Sequence, residues 1–213
     1  MKMFKKLQGS HFRMLNEELY STSSQHAVSM MKTDPSLFDS YHEGFREQTK
    51  KWPVNPVNVI IKYLKKYPKW KVADLGCGDA QIAKTLPNKV HSFDLISKDP
   101  CVVACDIAHV PLKDSSVNAV VLSLALMGTN YVDFLKEAHR IVVKGGKVLV
   151  AEVRSRLEHV LDEFVEMLKE MGFVLDNMDK SNKMFVMFYL TKNQPCAAEL
   201  NPPSLKACQY KKR

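Results

Sequence analysis

The sequence predicts an α/β fold in which a mostly parallel, seven-stranded sheet has helices on both faces. From residue 71 onward, short apolar runs alternate with helical stretches, which is the pattern of consecutive βαβ units. The first run, Val72-Ala73-Asp74-Leu75, ends in the turn Gly76-Cys77-Gly78, as expected of a buried strand that opens a helix. Two runs near the end, separated by polar residues 177–182, predict an antiparallel C-terminal strand.

The order of elements divides the chain into three parts. Residues 1–56 form a helix-prone N-terminal extension, 57–192 the sheet domain, and 193–213 a tail without a core of its own, docked by Leu200 and Leu205. Helices are expected at 11–20, after Asp34-Pro35, and at 57–66, 79–85, 131–142 and 157–171. Strands are expected at 71–75, 90–94, 102–105, 118–124, 147–152, 173–176 and 184–190.

Composition narrows the class of protein. The net charge of +8 and the pI near 9.2 favour a polyanionic partner such as nucleic acid. The five cysteines are odd in number and lack zinc-finger or redox spacing, so we expect free thiols and no metal. The chain begins without the apolar core of a signal peptide and contains no run of about 18 apolar residues. We therefore expect a soluble, intracellular protein with no membrane partner.

Acidic residues follow successive strands at the points where a ligand binds in such sheets. Asp94 ends the second predicted strand, where a carboxylate can accept both hydroxyls of a ribose. Asp106 ends the third and can accept from an adenine amine, while Ile107 can cover the ring. Alone, each feature has an ordinary explanation: Gly76 and Gly78 as a tight turn, Asp94 as a helix cap, Asp106 as an Asx turn. Together, at successive strand ends, they predict an adenosine site.

The glycine pattern narrows the choice of adenosine ligand. Gly76-Cys77-Gly78 is followed by Asp79 and lacks the third glycine of a dinucleotide site. A phosphate-binding P-loop is also absent from the sequence. The remaining interpretation is S-adenosylmethionine, with its aminoacyl end beside Gly76.

Longer stretches resemble a known superfamily and one family within it. Residues 72–78, Asp94, 106–112, 116–120 and 134–146 resemble class I S-adenosylmethionine-dependent methyltransferases, a Rossmann-like fold, over roughly 70–190. Three further stretches resemble the ribosomal RNA processing protein 8 family, also named nucleomethylin, so that the similarity runs over nearly the whole chain. These stretches are 12–20, 41–53 and 123–130.

The resemblance implies a nuclear, nucleolar enzyme that forms N1-methyladenosine in large-subunit ribosomal RNA and releases S-adenosylhomocysteine. It implies that the N-terminal extension is a helical lid, and that the partners are the RNA or pre-ribosome and, in some animal members, chromatin-silencing proteins. The cofactor contacts that it implies, beside Gly78 from the turn, are His42, Gly76, Asp94, Asp106, Ile107 and Ser123. Two alternatives stay open: a methyltransferase acting on protein or a small molecule, and a non-catalytic cofactor-sensing module in a chromatin complex.

Several side chains keep two interpretations. His42 lies on an apolar helix face and is either a core residue or a lid residue. Asn130 could hydrogen-bond the substrate base or cap a helix, and Glu152 could stabilise a cationic product or pair with Arg154. The lysine-rich residues at 50–51, 62, 65–66 and 69–71 are expected near the site, as phosphate contacts or as a solvated helix face.

Overall fold

The computed structural model describes residues 2–208, with side-chain burial from residue 9 onward, and is built around one seven-stranded sheet. The sheet order is β3-β2-β1-β4-β5-β7-β6, and β7 runs antiparallel to both of its neighbours. The mostly parallel sheet and its antiparallel C-terminal strand are thus confirmed. The strands are β1 (Lys71–Leu75), β2 (Lys89–Asp94), β3 (Val102–Ala104), β4 (Val117–Ser123), β5 (Val142–Val153), β6 (Phe173–Asp179) and β7 (Phe185–Lys192).

Helices cover both faces because successive residues of a strand point to opposite sides. In β1, Val72 packs with the cluster that includes Ile60, Ile61 and Leu64, whereas Ala73 joins the cluster on the other face. α4 (Pro56–Leu64) and α5 (Gln81–Thr85) cover the first face, and α6 (Tyr131–Ile141) and α8 (Leu161–Glu170) the second. α7 (Arg154–Leu157) is a single turn after β5.

The topology places a crevice at the carboxyl ends of β1 and β4. From β1 the chain passes to β2 and β3 on one side, and β4 then returns to the other side of β1. Helices on opposite faces diverge at such a switch point and leave room for a ligand.

Three further helices form the N-terminal extension, with an apolar cluster of their own. They are α1 (Lys2–Ser21), α2 (Ser24–Thr33) and α3 (Ser36–Thr49). Phe12, Met31 and Tyr41 are buried among them. A Cβ on Gly44 would lie 2.4 Å from the Phe12 ring, so glycine permits the close approach of α3 to α1.

The structure differs from the predicted elements in several places. The helix expected at 157–171 begins later, as α8, and a separate turn, α7, precedes it. α2 is an additional helix, and β5 begins at Val142 instead of at residue 147. The expected loop 177–182 begins later, because Asn177–Asp179 continue β6 in pairing with β7. β6 is an edge strand, where polar side chains can stay in contact with water.

The C-terminal segment docks on the sheet domain and reaches α1. Leu200 and Leu205 pack against the main core, as predicted. The Tyr131 hydroxyl donates to the carbonyl of Pro203 (2.6 Å), and Asn16 Nδ2 donates to the carbonyl of Cys208 (2.7 Å). Residues 209–213 of the predicted tail lie outside the described residues.

None of the helices within residues 2–208 has the length and apolar character needed to cross a bilayer. In the same part of the chain, no group of three or more His, Cys, Asp or Glu side chains is arranged to hold a metal ion.

Candidate functional site

A cavity of about 210 Å³ opens at the carboxyl ends of β1, β2 and β4. Its floor consists of the strand-end residues Asp74, Gly76, Gly78, Asp94 and Ser123. Its roof, which we name the lid, is formed by α1–α3 and contributes mainly apolar side chains. The lid residues that line the cavity include Leu19, Ala27, Met31, Phe38, Tyr41, His42 and Phe45.

The glycine turn keeps the floor open because Gly76 and Gly78 carry no side chains. Gly76 has φ +76° and Gly78 has φ +53°, which are left-handed conformations that favour glycine. A Cβ at Gly76 would lie 2.7 Å from the Ala125 Cβ, and one at Gly78 would lie 3.3 Å from His42 Cε1. A larger residue at either position would be strained and would narrow the cavity.

Asp94 is held rigidly at the end of β2. Its Oδ2 accepts from the Gly78 N–H (2.7 Å), and its Oδ1 accepts from the Leu95 N–H (2.8 Å). Burial raises the pKa of Asp94, and His42 and the two N–H groups oppose this rise. An ionised carboxylate has about four acceptor positions, so two remain for ligand hydroxyls.

Asp106 joins the floor to the lid. Its Oδ1 accepts from the Ala108 N–H (2.9 Å), which forms the Asx turn considered from the sequence. Its Oδ2 accepts from the Ser24 hydroxyl of α2 (2.7 Å). Ile107 follows it as a buried apolar wall of the cavity.

Two polar floor residues have no hydrogen-bonding partner for their side chains within the described chain. The hydroxyl of Ser123 is buried and unpaired. Asp74 is 3% exposed, and burial, followed by the charge of Asp94, raises its pKa to about 7. Sequence reasoning missed Asp74 as a site residue, although an acid inside an apolar strand was a signal. A cationic ligand group beside it would offset the cost of its charge.

His42 lies in the lid above the glycine turn. Its ring centroid is 4.1 Å from that of Phe38, and it lines the cavity opposite Gly78. Burial lowers the pKa of His42, and the nearby carboxylates Asp94 and Asp79 oppose this effect. This position in the cavity wall favours the lid interpretation of His42, which stays a prediction.

The structure brings neither candidate catalytic residue to the cavity wall. Asn130 Oδ1 accepts from the Ser24 N–H (2.9 Å) and its Nδ2 donates to the Ser24 hydroxyl (2.8 Å), so its polar atoms hold the start of α2. Glu152 is fully buried and pairs with Arg156 (2.8 Å), not with Arg154. Both side chains are occupied by structural contacts.

Arg156 is a buried connection that the sequence did not reveal. Besides Glu152, its guanidinium donates to the carbonyls of Leu126 (2.9 Å) and Lys206 (2.8 Å). It also lies 4.4 Å from the centroid of the Tyr20 ring of α1. One side chain therefore joins the sheet domain, the C-terminal segment and the lid.

The predicted lysine contacts separate into two groups. Lys50 and Lys51 follow α3, which roofs the cavity. The others lie at the end of α4 and the start of β1, which is the opposite end of the sheet. The expectation that all of them lie near the site is wrong, because α4 runs antiparallel to β1 and carries its C-terminal lysines away from the cavity.

The cavity fits a ligand with vicinal hydroxyls, a flat apolar ring with an amine, and a cationic group. Asp94 offers acceptors for the hydroxyls, Asp106 and Ile107 suit the ring, and Asp74 suits the cation. The unpaired Ser123 hydroxyl supplies a further polar contact.

Comparisons with known proteins agree with this geometry. A family model described as "Hypothetical methyltransferase" matches residues 1–213. The Ribosomal RNA-processing protein 8 of Arabidopsis thaliana is 45% identical over 98% of this chain and 76% of that protein. The chain belongs to the ribosomal RNA-processing protein 8 family. The resemblance found in the sequence is thereby confirmed.

Members of this family differ in name and in length. A relative from Schizosaccharomyces pombe, named 25S rRNA (adenine(645)-N(1))-methyltransferase, is 46% identical over 100% of this chain and 71% of that protein. The Mus musculus Ribosomal RNA-processing protein 8 is 44% identical, and this chain spans 47% of its length.

Solved structures confirm the class I methyltransferase fold. One is the 1,6-didemethyltoxoflavin-N1-methyltransferase of Burkholderia thailandensis, with a TM-score of 0.61 and 14% identity, covering 81% of this chain and 92% of that one. Another is a TehB-like methyltransferase from Corynebacterium glutamicum, with a TM-score of 0.58 and 17% identity, covering 75% of this chain and 100% of that one.

Proposed function

We propose that the protein transfers a methyl group from S-adenosylmethionine to N1 of an adenine in large-subunit ribosomal RNA. The observation that carries this proposal is an intact adenosine-type cavity at the switch point of a chain in the ribosomal RNA-processing protein 8 family. The adenine-N1 specificity rests on the name of the S. pombe relative, which matches the whole of this chain.

The cavity residues have distinct roles in holding the cofactor. Asp94 accepts hydrogen bonds from the ribose hydroxyls, while Asp106 and Ile107 bind the adenine. Asp74, Gly76 and Gly78 receive the aminoacyl end, and Ser123 adds a polar contact at the floor. His42 closes the site from the lid. When bound, S-adenosylmethionine supplies an electrophilic methyl group on a sulfonium.

The reaction requires positioning more than proton transfer. Adenine N1 has a lone pair and no proton at neutral pH, so its attack needs no general base. Correct alignment of two reactants can contribute up to about 7–11 kcal/mol. This agrees with the positions of Asn130 and Glu152, whose polar atoms are occupied away from the cavity. The carboxylates Asp74 and Asp94 favour positive charge in the site, including that of the methylated base.

The proposed substrate determines the expected partners and location. Large-subunit ribosomal RNA is made and assembled in the nucleolus, so we place the protein there, in contact with the pre-ribosome. If the target adenine is paired, it must be unstacked or its helix opened before it can enter the cavity.

The test is a methylation assay with nucleoside analysis. The protein is incubated with methyl-labelled cofactor and with large-subunit RNA that lacks the modification, and the expected product is labelled N1-methyladenosine. With cofactor near the wild-type Kd, Asp94→Asn should reduce the label strongly, whereas Asp162→Asn, a matched change at an exposed position of α8, should not. Label in protein would instead indicate a protein methyltransferase. Cofactor binding without label in competent RNA would indicate a non-catalytic cofactor sensor.

A further inference from the structure

Exposed lysines surround the C-terminal end of α4 and the first residues of β1 and β2. They lie at the amino end of the sheet, opposite the cavity. We name this group the lysine surface, and its members are Lys62, Lys65, Lys66, Lys69, Lys71 and Lys89.

The lysine surface is not neutralised by acidic side chains. The sequence has no Asp or Glu between Glu47 and Asp74. Within the described chain, none of the six lysines forms an ion pair, and the neighbouring Asp176 of β6 is paired with Lys147 (2.9 Å).

At the cavity end, in contrast, several surface cations have a partner. Arg46 pairs with Asp79 (3.0 Å), Lys84 pairs with Asp99 (2.7 Å), and Lys98 pairs with Asp39. The six lysines of the lysine surface therefore form a local cluster of cations without ion-pair partners in the described chain.

Two of these lysines are adjacent although their charges repel. Lys71 of β1 and Lys89 of β2 are register partners in the parallel ladder, and both are exposed. Like charges placed side by side on a sheet are unfavourable. Their effect reaches His91, whose pKa is lowered by burial and then by Lys89 and Lys71. A polyanion bound here would relieve this repulsion.

The backbone that carries the lysines is fixed. Asn88 Nδ2 donates to the carbonyls of Tyr67 (2.8 Å) and Trp70 (2.9 Å), which ties the turn after α4 to the start of β2. The rings of Tyr67 and Trp70 stack with centroids 3.9 Å apart and planes 6° apart. The backbone positions of the lysines are thus set before binding, which lowers the entropic cost of association.

We propose that the lysine surface binds the phosphate backbone of the RNA substrate, as an anchoring site separate from the methyl-transfer cavity. This inference rests on the proposed function for the identity of the RNA. The five residues of β1 separate the two sites by about 17 Å, at roughly 3.3 Å per residue.

α4 offers the path between them, because Asn55 and Val57 at its start line the cavity and Lys62 and Lys65 lie towards its end. Phosphate contacts fix position and affinity without reading sequence. The choice of adenine is therefore left to the cavity, while the lysine surface holds the flanking RNA.

The experiment compares two triple variants of the full chain. Lys65→Gln, Lys66→Gln and Lys69→Gln remove charge from the lysine surface. Lys113→Gln, Lys136→Gln and Lys183→Gln remove the same charge from exposed positions elsewhere.

Binding to a large-subunit RNA fragment is measured over a range of salt concentrations. The first variant should lower the magnitude of the slope of log affinity against log salt by about 2, since each lost contact to single strands removes about 0.7. Its KM for the fragment should rise while its cofactor affinity and Tm stay at the wild-type values. The control variant should keep the wild-type slope.

Further readouts test the lysine surface independently of catalysis. The loss of RNA affinity in the Lys65, Lys66 and Lys69 variant should be smaller on a short oligonucleotide that contains only the target adenine and its immediate neighbours. Binding of the long RNA should raise the pKa of His91 in the wild-type protein, measured by NMR titration, because phosphates offset the charges of Lys71 and Lys89.

Equal losses of RNA affinity in both triple variants, or the same loss on short and long RNA, would overturn the inference. So would lysine-dependent binding to phosphatidylserine vesicles with unchanged RNA affinity. If wild type binds RNA through these lysines but forms no N1-methyladenosine, only the proposed function fails.

Discussion

The floor and the lid of the cavity are held in different ways. The floor residues Asp74, Gly76 and Asp94 occupy the ends of adjacent strands, and the register of β1 with β2 fixes their spacing. The lid is fastened through side chains that are distant in sequence. Ser24 bonds to Asn130, and Tyr20 lies over the guanidinium of Arg156.

This difference indicates where a single substitution can change ligand binding without changing the stability of the protein. A backbone ladder tolerates the loss of one side chain, because the neighbouring hydrogen bonds remain. The lid depends on apolar packing against Leu95, Ile96 and Met127 and on a few polar contacts, of which Arg156 also reaches the C-terminal segment. Changes at the floor should therefore affect ligand affinity directly, whereas changes at the fastening should affect stability or lid motion and, through the lid, ligand affinity to a smaller extent.

The largest effect is expected from Arg156→Met, at the main fastening of the lid. The change leaves Glu152 buried and unpaired, and breaking such a pair costs about 3–5 kcal/mol. We expect the free energy of unfolding in urea to fall by this amount. The double variant with Glu152→Leu should recover much of the loss, because no buried charge remains. A single variant as stable as wild type would contradict the fastening role.

The contrast also explains what the sequence could predict. The sequence could predict that four residues lie together, because each strand and its turn are local patterns and the sheet brings the strand ends together. These residues are Gly76, Gly78, Asp94 and Asp106. The structural roles of Asn130 and Glu152 were not found.

Their partners are not given by local patterns: Ser24 is 106 residues from Asn130, and Arg156 sits on the short α7, which precedes the predicted helix 157–171. Family resemblance named His42, but only the lid packing shows why it meets Gly78.

A smaller effect is expected from Asp94→Asn, which tests the floor. The amide has the shape of the carboxylate but lacks its charge and one acceptor. A hydrogen bond to a charged group contributes about 1.5–3 kcal/mol, so cofactor affinity should fall roughly 10- to 100-fold. Calorimetric titration with S-adenosylhomocysteine measures this, with Asp162→Asn as the control. Affinity equal to that of wild type would exclude the ribose role.

The pH dependence of binding tests the other floor carboxyl. The pKa of Asp74 is raised from 3.8 to about 7 in the folded protein, so its ionisation opposes folding as pH rises through that window. The contribution of Asp74 to the free energy of unfolding is greatest below its unfolded-state pKa of 3.8, and it is lost as the pH rises to its folded-state pKa of about 7. Cofactor binding should show the opposite trend, because the ammonium prefers the ionised form.

Affinity should therefore tighten as pH rises through about 7, by at most about tenfold per unit. Titrations of wild type and Asp74→Asn at matched pH values measure this difference. The variant should show a flatter profile, whereas an unchanged slope would place the titrating group elsewhere.

The smallest effect is expected from Asn130→Ala, at the rim where the lid meets the floor. The change removes the acceptor of the Ser24 N–H and the donor to its hydroxyl, while the bond from Ser24 to Asp106 remains. The backbone bond from the Thr129 N–H to the Thr22 carbonyl (2.9 Å) also survives, so the loss should be about 1 kcal/mol, or roughly fivefold in cofactor affinity. Hydrogen exchange should accelerate in α2 and stay unchanged in β1 and β2. Thr33→Ala, at the other end of α2, is the control. If exchange rose equally in the strands, the lid and floor would open as one unit, and their separate fastening would be disproved.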